Sequence, residues 1–196
     1  MGQLVPLRRV DGAVHELSDA ALLAAAGLGD QAALGALFDR FHADVYRFVA
    51  RVAAATPSDV DDLVQTTFLE VYRSAARFDG RSAVKTWIFG VAVNVARTHA
   101  RGERRMQAAV GRYADVPIAE PEPLDTAAAR REVLERVARA IDELPYDLRA
   151  AYVLCVIEEL TARDAAAALD TREGTVWRRV HEARQVIRAA LDRRPS

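Results

Sequence analysis

Residues 161–187, TARDAAAALDTREGTVWRRVHEARQVI, contain the pattern that decides the fold of this chain. A short apolar segment at 161–169 is followed by a break at 170–172 and then by a longer segment that begins at Glu173. Apolar residues in the longer segment recur every three or four positions, at Val176, Val180, Ala183, Ile187 and Leu191. Two helices joined by such a short turn are typical of a helix-turn-helix, whose second helix enters the major groove of DNA.

The other side of this second segment carries residues that suit DNA. Thr175, Arg178 and Glu182 lie opposite the apolar stripe, and Arg179 lies on its flank. Arg172 and Thr175 stand at the start of the helix, where free backbone N–H groups favour a phosphate. A plain helical hairpin with solvated arginines has the same spacing, so spacing alone leaves both interpretations open.

The three- and four-residue periodicity covers almost the whole chain, and the alternation typical of a β-strand is nearly absent, so we predict an all-α fold. In the first half the pattern predicts helices that begin at Ser18, at Asp30, at a capping box formed by Ser58 and Asp61, and at Ser82. In the second half it predicts a helix from about Ala127 to Leu144, stopped by Pro145, and further helices over 147–158, 161–169 and 173–192.

Charge is divided unevenly along the chain, although the formal net charge is only −1. Residues 73–112 contain nine basic and two acidic residues, and 171–196 contain seven basic and three acidic residues. Residues 113–126 contain four acidic residues, three prolines and no basic residue, a composition typical of a flexible linker. We therefore predict two small helical domains joined by this acidic linker and preceded by an N-terminal arm, with the arm at 1–17 and the domains at 18–112 and 127–196.

Composition excludes several function classes. Cys155 is the only cysteine, so neither an internal disulfide nor a cysteine zinc site is expected. The four histidines are dispersed, and we find no glycine-rich phosphate loop, no Ser-His-Asp arrangement with local context and no paired carboxylates in an apolar setting. We therefore expect no enzyme, no metal and no cofactor. No apolar run is long enough to span a membrane and the N-terminus has no signal-peptide pattern, so the expected location is the cytoplasm.

The segment from Phe78 to Arg112 combines aromatic and basic residues. Its predicted buried stripe consists of Val84, Trp87, Ile88, Val91 and Val95. A neighbouring face forms a ridge suited to a nucleic-acid backbone, with Asn94, Arg97, Arg101 and Arg104. Aromatic residues beside this charge suit the stacking of unpaired bases: Phe78, Trp87 and Phe89. The alternative is that these aromatics are core, which is the better interpretation for Trp87 alone, and that the arginines are solvated.

The preceding helix has a face of the opposite charge. Polar residues cover the side away from its apolar stripe: Asp61, Asp62, Gln65, Thr66 and Glu70. An acidic face of this kind suits a basic protein partner, although most such faces are simply solvated. Periodicity does not decide between these interpretations.

Short motifs occur in a fixed order along both halves. In the first half they are DDLVQTTF at 61–68, FDG at 78–80, TWI at 86–88 and VAVN at 91–94. In the second half they are LP at 144–145, GTV at 174–176 and AR at 183–184. Together they resemble conserved regions two and four of the bacterial sigma factors of the extracytoplasmic-function (ECF) group, within the primary sigma family. The resemblance covers about residues 18–112 and 127–191.

The resemblance implies a sigma factor that binds RNA polymerase core and directs promoter-specific transcription initiation. The clamp helices of the polymerase β′ subunit would bind the acidic face at Asp61, Asp62, Gln65 and Thr66. The minus-ten element would contact a surface consisting of Phe78, Trp87, Phe89, Val91, Asn94, Arg97, Arg101, Arg104 and Arg105. The minus-thirty-five element would contact Arg172, Thr175, Trp177, Arg178, Arg179 and Glu182.

Further partners follow from the same resemblance. The second domain would contact the polymerase β flap, and the acidic linker would thread toward the active-site and RNA-exit channels. Proteins of this group commonly have an anti-sigma factor, which no residue of this chain identifies.

The chain departs from the family at several positions. Glycine is usual in the family where this chain has Glu159 and Asp170. Trp177 stands where a basic residue is common, and Glu182 stands where an arginine is frequent. A carboxylate there repels phosphate but can accept a hydrogen bond from cytosine, so a promoter sequence cannot be transferred from relatives.

Two other functions compete with the sigma interpretation. The first is a helix-turn-helix regulator that acts without polymerase, which would need neither the acidic helix nor the aromatic and basic segment. The second is a sigma-like adaptor that has lost promoter recognition, which Trp177 and Glu182 keep open.

Overall fold

The structure, a computed structural model, describes residues 16–53, 55–110 and 126–192, without the side chains of Pro57, 103–110 and 126–130. The described residues form helices and no β-strand, which confirms the all-α fold class. The helices are α1 (Asp19–Gly27), α2 (Gln31–Val52), α3 (Pro57–Ser74), α4 (Val84–Val110), α5 (Thr126–Asp142), α6 (Tyr146–Tyr152), α7 (Ala162–Ala168) and α8 (Glu173–Asp192). A short 3₁₀ turn, Ala75–Arg77, follows α3, and a π-helical turn, Val153–Ile157, continues α6.

Local capping chemistry sets where several helices begin, as predicted. The Ser18 hydroxyl accepts a hydrogen bond from the backbone N–H of Ala21 at 3.3 Å. The Asp30 carboxylate accepts from the N–H groups of Ala32 and Ala33 at 2.8 and 3.1 Å. Each side chain satisfies N–H groups that have no partner within the first turn of the helix.

Two predicted helix starts are wrong. The capping box before α3 consists of Thr56 and Asp59, not of Ser58 and Asp61. Each of these two side chains accepts from the other residue's N–H, at 3.3 and 3.2 Å. Proline lacks an N–H and has a helical φ, so it fits the first helical position directly after this cap. Ser82 does not cap α4, which begins at Val84.

The two positions where this chain lacks the usual glycine have the left-handed backbone that glycine favours. Glu159, between the π-helical turn and α7, has φ of 56°, and Asp170, in the turn of the helix-turn-helix, has φ of 48°. A non-glycine residue with this backbone costs roughly 1–3 kcal/mol unless the surroundings fix it. In this chain Glu159 and Asp170 keep the left-handed turn although neither is glycine.

The two halves of the chain pack against each other through a shared apolar core. Helices α1–α4 bury Leu22, Leu37, Phe48 and Phe89, and the same cluster continues into Ala150 and Leu154 of the second half. The backbone of α7 lies so close to α4 that a Cβ placed on Gly90 would be 3.4 Å from the Ala168 carbonyl oxygen. A smaller cluster between α5 and α8 includes Ile141, Leu144 and Ile187.

A buried hydrogen bond also joins the halves. The Tyr146 hydroxyl donates to the backbone carbonyl of Val93 on α4 at 2.7 Å. Burial raises the pKa of Tyr146 above its ordinary value, so the hydroxyl keeps the proton that it donates.

Replacing Tyr146 with phenylalanine removes this hydrogen bond and keeps the ring. We expect the free energy of unfolding to fall by about 1 kcal/mol, the usual contribution of one such bond. Urea denaturation of the full chain measures it. Tyr72→Phe is the control, because its hydroxyl donates to Gly29 at an exposed position. Equal stability of the Tyr146→Phe protein and the parent would show that the bond contributes nothing.

The predicted arm and linker lie almost entirely outside the described residues, which omit 1–15 and 111–125. At the end of the arm, the backbone carbonyl of Leu17 accepts hydrogen bonds from Arg40, which also forms an ion pair with Asp19. Within the parts of the chain that are described, no helix has both the length and the apolar character that crossing a membrane requires.

Candidate nucleic-acid and partner interfaces

The acidic face of α3 is exposed as a unit. Asp61, Asp62, Gln65 and Thr66 all lie on the surface, because Val64, Phe68 and Val71 turn the opposite side of the helix into the core. The structure therefore leaves all four predicted partner-binding residues accessible.

Leu69 belongs to this surface, and sequence reasoning missed it. Its side chain is 52% exposed, four positions after Gln65 and thus on the same side of the helix. The available signal was an apolar residue outside the buried stripe of α3. An exposed leucine among polar groups adds apolar area that a partner could bury.

The aromatic residues near the start of α4 do not act as one group. Phe78 and Trp87 are half-buried and meet edge to face, with their ring centroids 5.6 Å apart. Phe89 is only 1% exposed and packs edge to face against Phe48 in the core. Phe89 is thus not available to stack on a base, and its assignment to the minus-ten surface is corrected.

The buried side of α4 is also different from the predicted one. The fully buried residues are Val84, Thr86, Ile88, Phe89, Ala92, Val93 and Ala96, whereas Trp87, Val91 and Val95 are half-buried. The reason is that α4 packs on its own half at Phe48 and on the second half at Ala168, so it has two buried sides.

A groove of about 550 Å³ runs between α3 and α4. It is lined by two predicted minus-ten residues, Val91 and Asn94, and by Thr66 of the acidic face. Arg77 and His99 also line it, and sequence reasoning missed both. The groove therefore joins the predicted partner surface to the predicted base-holding surface.

The arginine ridge of α4 is only partly free. Arg101 is exposed, but Arg97 is half-buried and its guanidinium lies over the Tyr146 ring, 5.7 Å from the centroid. Its Nη2 atom is 3.8 Å from Oδ1 of Asp147. Arg104 and Arg105 lie on the described helix, but their side chains fall outside the described part.

The helix-turn-helix forms as predicted from α7 and α8, with Thr161 capping α7. On α8, Trp177 is 59% exposed. Arg178 and Glu182 are also exposed, and Nη1 of Arg178 lies 3.7 Å from Oε2 of Glu182. Arg172 is exposed at the helix start, and Thr175 is half-buried.

Arg179 differs from the other predicted DNA-contacting residues of α8. It is half-buried, and its Nη2 atom lies 3.3 Å from Oδ2 of Asp147. Asp147 therefore contacts one arginine from each predicted DNA surface. A cavity of about 430 Å³ at this point is lined by Arg97, Arg101, Tyr146, Asp147, Asp170 and Arg179.

Groups that suggest other chemistry are few. In the residues that the structure describes, no cluster of histidine, cysteine and carboxylate side chains could hold a metal ion. Cys155 is half-buried, and burial raises its thiol pKa. A higher pKa disfavours the thiolate, the reactive form of cysteine.

Two family models match this chain. Sigma-70 region 2 matches residues 37–106, which contain the acidic face and the groove, and Sigma-70 region 4 matches residues 134–187, which contain the helix-turn-helix. Sigma-70 is therefore the correct family name in place of the primary sigma family.

Individual relatives agree with these matches. The ECF RNA polymerase sigma factor SigM of Mycobacterium tuberculosis is 34% identical over 173 residues, which cover 88% of this chain and 84% of that protein. A structure of CnrH in complex with the cytosolic domain of CnrY is 29% identical with a TM-score of 0.65, covering 89% of this chain and 97% of that chain.

A second solved structure shares the fold. It is that of the sigma factor RpoE in complex with the anti-sigma factor NepR from Bartonella quintana, which is 24% identical with a TM-score of 0.59 over 80% of this chain and 98% of that chain. The two region models and the identity to SigM carry the assignment. This chain belongs to the ECF sigma factors of the sigma-70 family.

Proposed function

We propose that this sigma factor, which binds RNA polymerase and directs promoter-specific transcription initiation, does so through three separate surfaces. The observation that carries the proposal is that Thr66 lies both on the acidic face of α3 and in the groove that contains Val91 and Asn94. Core docking and base capture would then take place side by side. The proposed domains are 18–112 and 127–196, with 113–126 as the linker.

The first surface would bind the β′ clamp helices. One exposed helix face carries carboxylate, amide and hydroxyl groups, from Asp61, Asp62, Gln65 and Thr66. Charged residues on such a face steer a basic partner, and Leu69 adds apolar area beside them. The second domain would contact the β flap.

The second surface would open the minus-ten element. Flipping a base out of the duplex costs a few kcal/mol of free energy, and a pocket with stacking contacts can offset that cost. Val91 and Asn94 would line the pocket. The contacting pair Phe78 and Trp87 would supply aromatic stacking, and Arg101 would track the phosphates. Phe89 has no direct part in this, because it is buried against Phe48 in the core.

The third surface would read the minus-thirty-five element through the exposed side of α8. Arg172 lies at the helix start, where phosphates bind, and Arg178 lies on the exposed side of the helix. The protein would act in the cytoplasm, where the polymerase is. We also propose a protein partner that binds the sigma factor itself, since the similar CnrH is in complex with the cytosolic domain of CnrY. The resemblance to the ECF group makes an anti-sigma factor the expected partner.

Run-off transcription with core polymerase on genomic promoter fragments tests this function. We expect transcripts from a subset of fragments only when the protein is added to core. Binding to core without a transcript from any fragment would favour a sigma-like adaptor that has lost promoter recognition.

Glu182 is expected to select a base. A carboxylate on the exposed side of α8 repels phosphate but accepts a hydrogen bond from the cytosine amino group, a contact that distinguishes bases by about 1–3 kcal/mol. We expect Glu182→Ala to lose a preference of roughly tenfold for one base pair of the minus-thirty-five element. The measurement is sequencing of transcripts from a promoter library randomised in that element.

The matched control is Glu173→Ala, which removes another exposed carboxylate from the same helix. It should leave the base preference as in the parent. If the Glu182→Ala protein selected the same bases as the parent, Glu182 would not contact a base.

A further inference from the structure

One carboxylate binds arginines from both predicted DNA surfaces. Asp147, in the first turn of α6, lies 3.8 Å from Arg97 of α4 and 3.3 Å from Arg179 of α8. Both arginine side chains are largely covered, at 24% and 18% exposed. In contrast, Arg101, Arg172 and Arg178 on the same two surfaces are exposed. A carboxylate and a DNA phosphate bind a guanidinium through the same kind of charge-assisted hydrogen bond, so the two compete for each arginine.

Other contacts hold the same closed arrangement. The Tyr146 hydroxyl binds the Val93 carbonyl, and the backbone of Ala168 lies against Gly90. Glu158, directly after the π-helical turn, lies 3.8 Å from Arg47 of α2. These contacts join the first and second halves at several separate points, so the two halves form one body.

In this closed arrangement the two predicted DNA surfaces are too close together to reach both promoter elements. Elements centred near minus ten and minus thirty-five are separated by roughly 25 base pairs, or about 85 Å of duplex at about 3.4 Å per base pair. Arg97 and Arg179, assigned to different elements, both lie within 4 Å of the same side chain. A single molecule in this arrangement therefore cannot place both surfaces on their elements.

We propose that Asp147 is an autoinhibitory latch that closes the free sigma factor by occupying Arg97 and Arg179. The proposal rests on the proposed function, because it takes these arginines as DNA contacts. Only the fraction of molecules that is open binds DNA, so the apparent affinity of the free protein is lowered by that fraction. Asp147 itself is half-exposed, and among the side chains that the structure describes its ion pairs are with these two arginines. The latch is thus weak enough to open when polymerase or DNA supplies competing contacts.

Two variants of the full chain are designed to separate the two halves, one by removing a charge and the other by adding a side chain between them. Asp147→Asn removes the charge and keeps the shape, with Glu143→Gln as the control for loss of one exposed negative charge from the same half. Gly90→Leu places a side chain against the Ala168 backbone, with Gly102→Leu as the control, because Gly102 faces open space on the same helix. The readouts are the radius of gyration by X-ray scattering and the affinity of the free protein for promoter duplex.

We expect both variants to have a larger radius of gyration than the parent and a roughly threefold to tenfold higher DNA affinity, with the controls unchanged. An Asp147→Asn protein with the scattering and the DNA affinity of the parent would overturn the latch, and so would expansion without a gain in affinity. Failure of the proposed function would appear elsewhere, as the absence of run-off transcripts from the parent protein with core.

Discussion

The double substitution Asp62→Arg, Gln65→Arg is expected to abolish binding to core polymerase, with affinity at least about 100-fold below that of the parent. Both side chains are exposed on α3 and contribute nothing to the core behind it. If the clamp helices present basic residues to this face, two arginines create repulsion between like charges, which costs several kcal/mol across an interface. Co-purification with core, or a binding titration with labelled core, measures the loss.

Two controls separate docking from folding. Thermal unfolding of the double variant should match that of the parent, because exposed substitutions usually change stability by less than about 0.5 kcal/mol. Glu143→Arg adds positive charge at an exposed position of the second half and should leave core binding unchanged. Unchanged co-purification of the double variant would place the docking surface elsewhere on the chain.

The start of a helix could be predicted from the sequence wherever it depends on its own cap. Ser18 and Asp30 each bind N–H groups within three residues, so the chemistry is local and the sequence contains it. The start of α3 was misplaced because two capping boxes were available, and proline at the first helical position favours the earlier one.

The orientation of α4 could not be predicted, because an apolar stripe indicates a single buried side. Phe89 becomes core only when α4 packs on Phe48 of α2, and the second half then covers another side of the same helix. Both contacts join residues far apart in the chain. Periodicity within α4 contains no information about them.

The junction at Asp147 was not predictable for the same reason. Arg97, Asp147 and Arg179 have no short-range pattern that relates them, and each alone reads as a solvated charge. Only the docking of the two halves brings them together. The sequence therefore predicts separate DNA surfaces, and the structure adds that one arginine from each of them lies beside the same carboxylate.

Replacing Arg97 and Arg101 with alanine is expected to reduce open-complex formation at least tenfold and to flatten its salt dependence. Each arginine that binds a phosphate releases a counterion, so losing one contact lowers the slope of log affinity against log salt by about one unit. The double variant should therefore lose about two units. The measurement is open-complex formation with core polymerase over a series of salt concentrations.

Arg97 and Arg101 should not contribute equally. Arg101 is exposed, so Arg101→Ala removes a phosphate contact and little else. Arg97 also binds Asp147, so Arg97→Ala loses a phosphate contact and at the same time loosens the closed state, and its net effect on open-complex formation should be smaller than that of Arg101→Ala. The control is Arg131→Ala with Arg139→Ala, which removes the same charge from exposed positions of α5. If the double variant of α4 lost thermal stability but kept the salt slope of the parent, both arginines would be structural rather than DNA contacts.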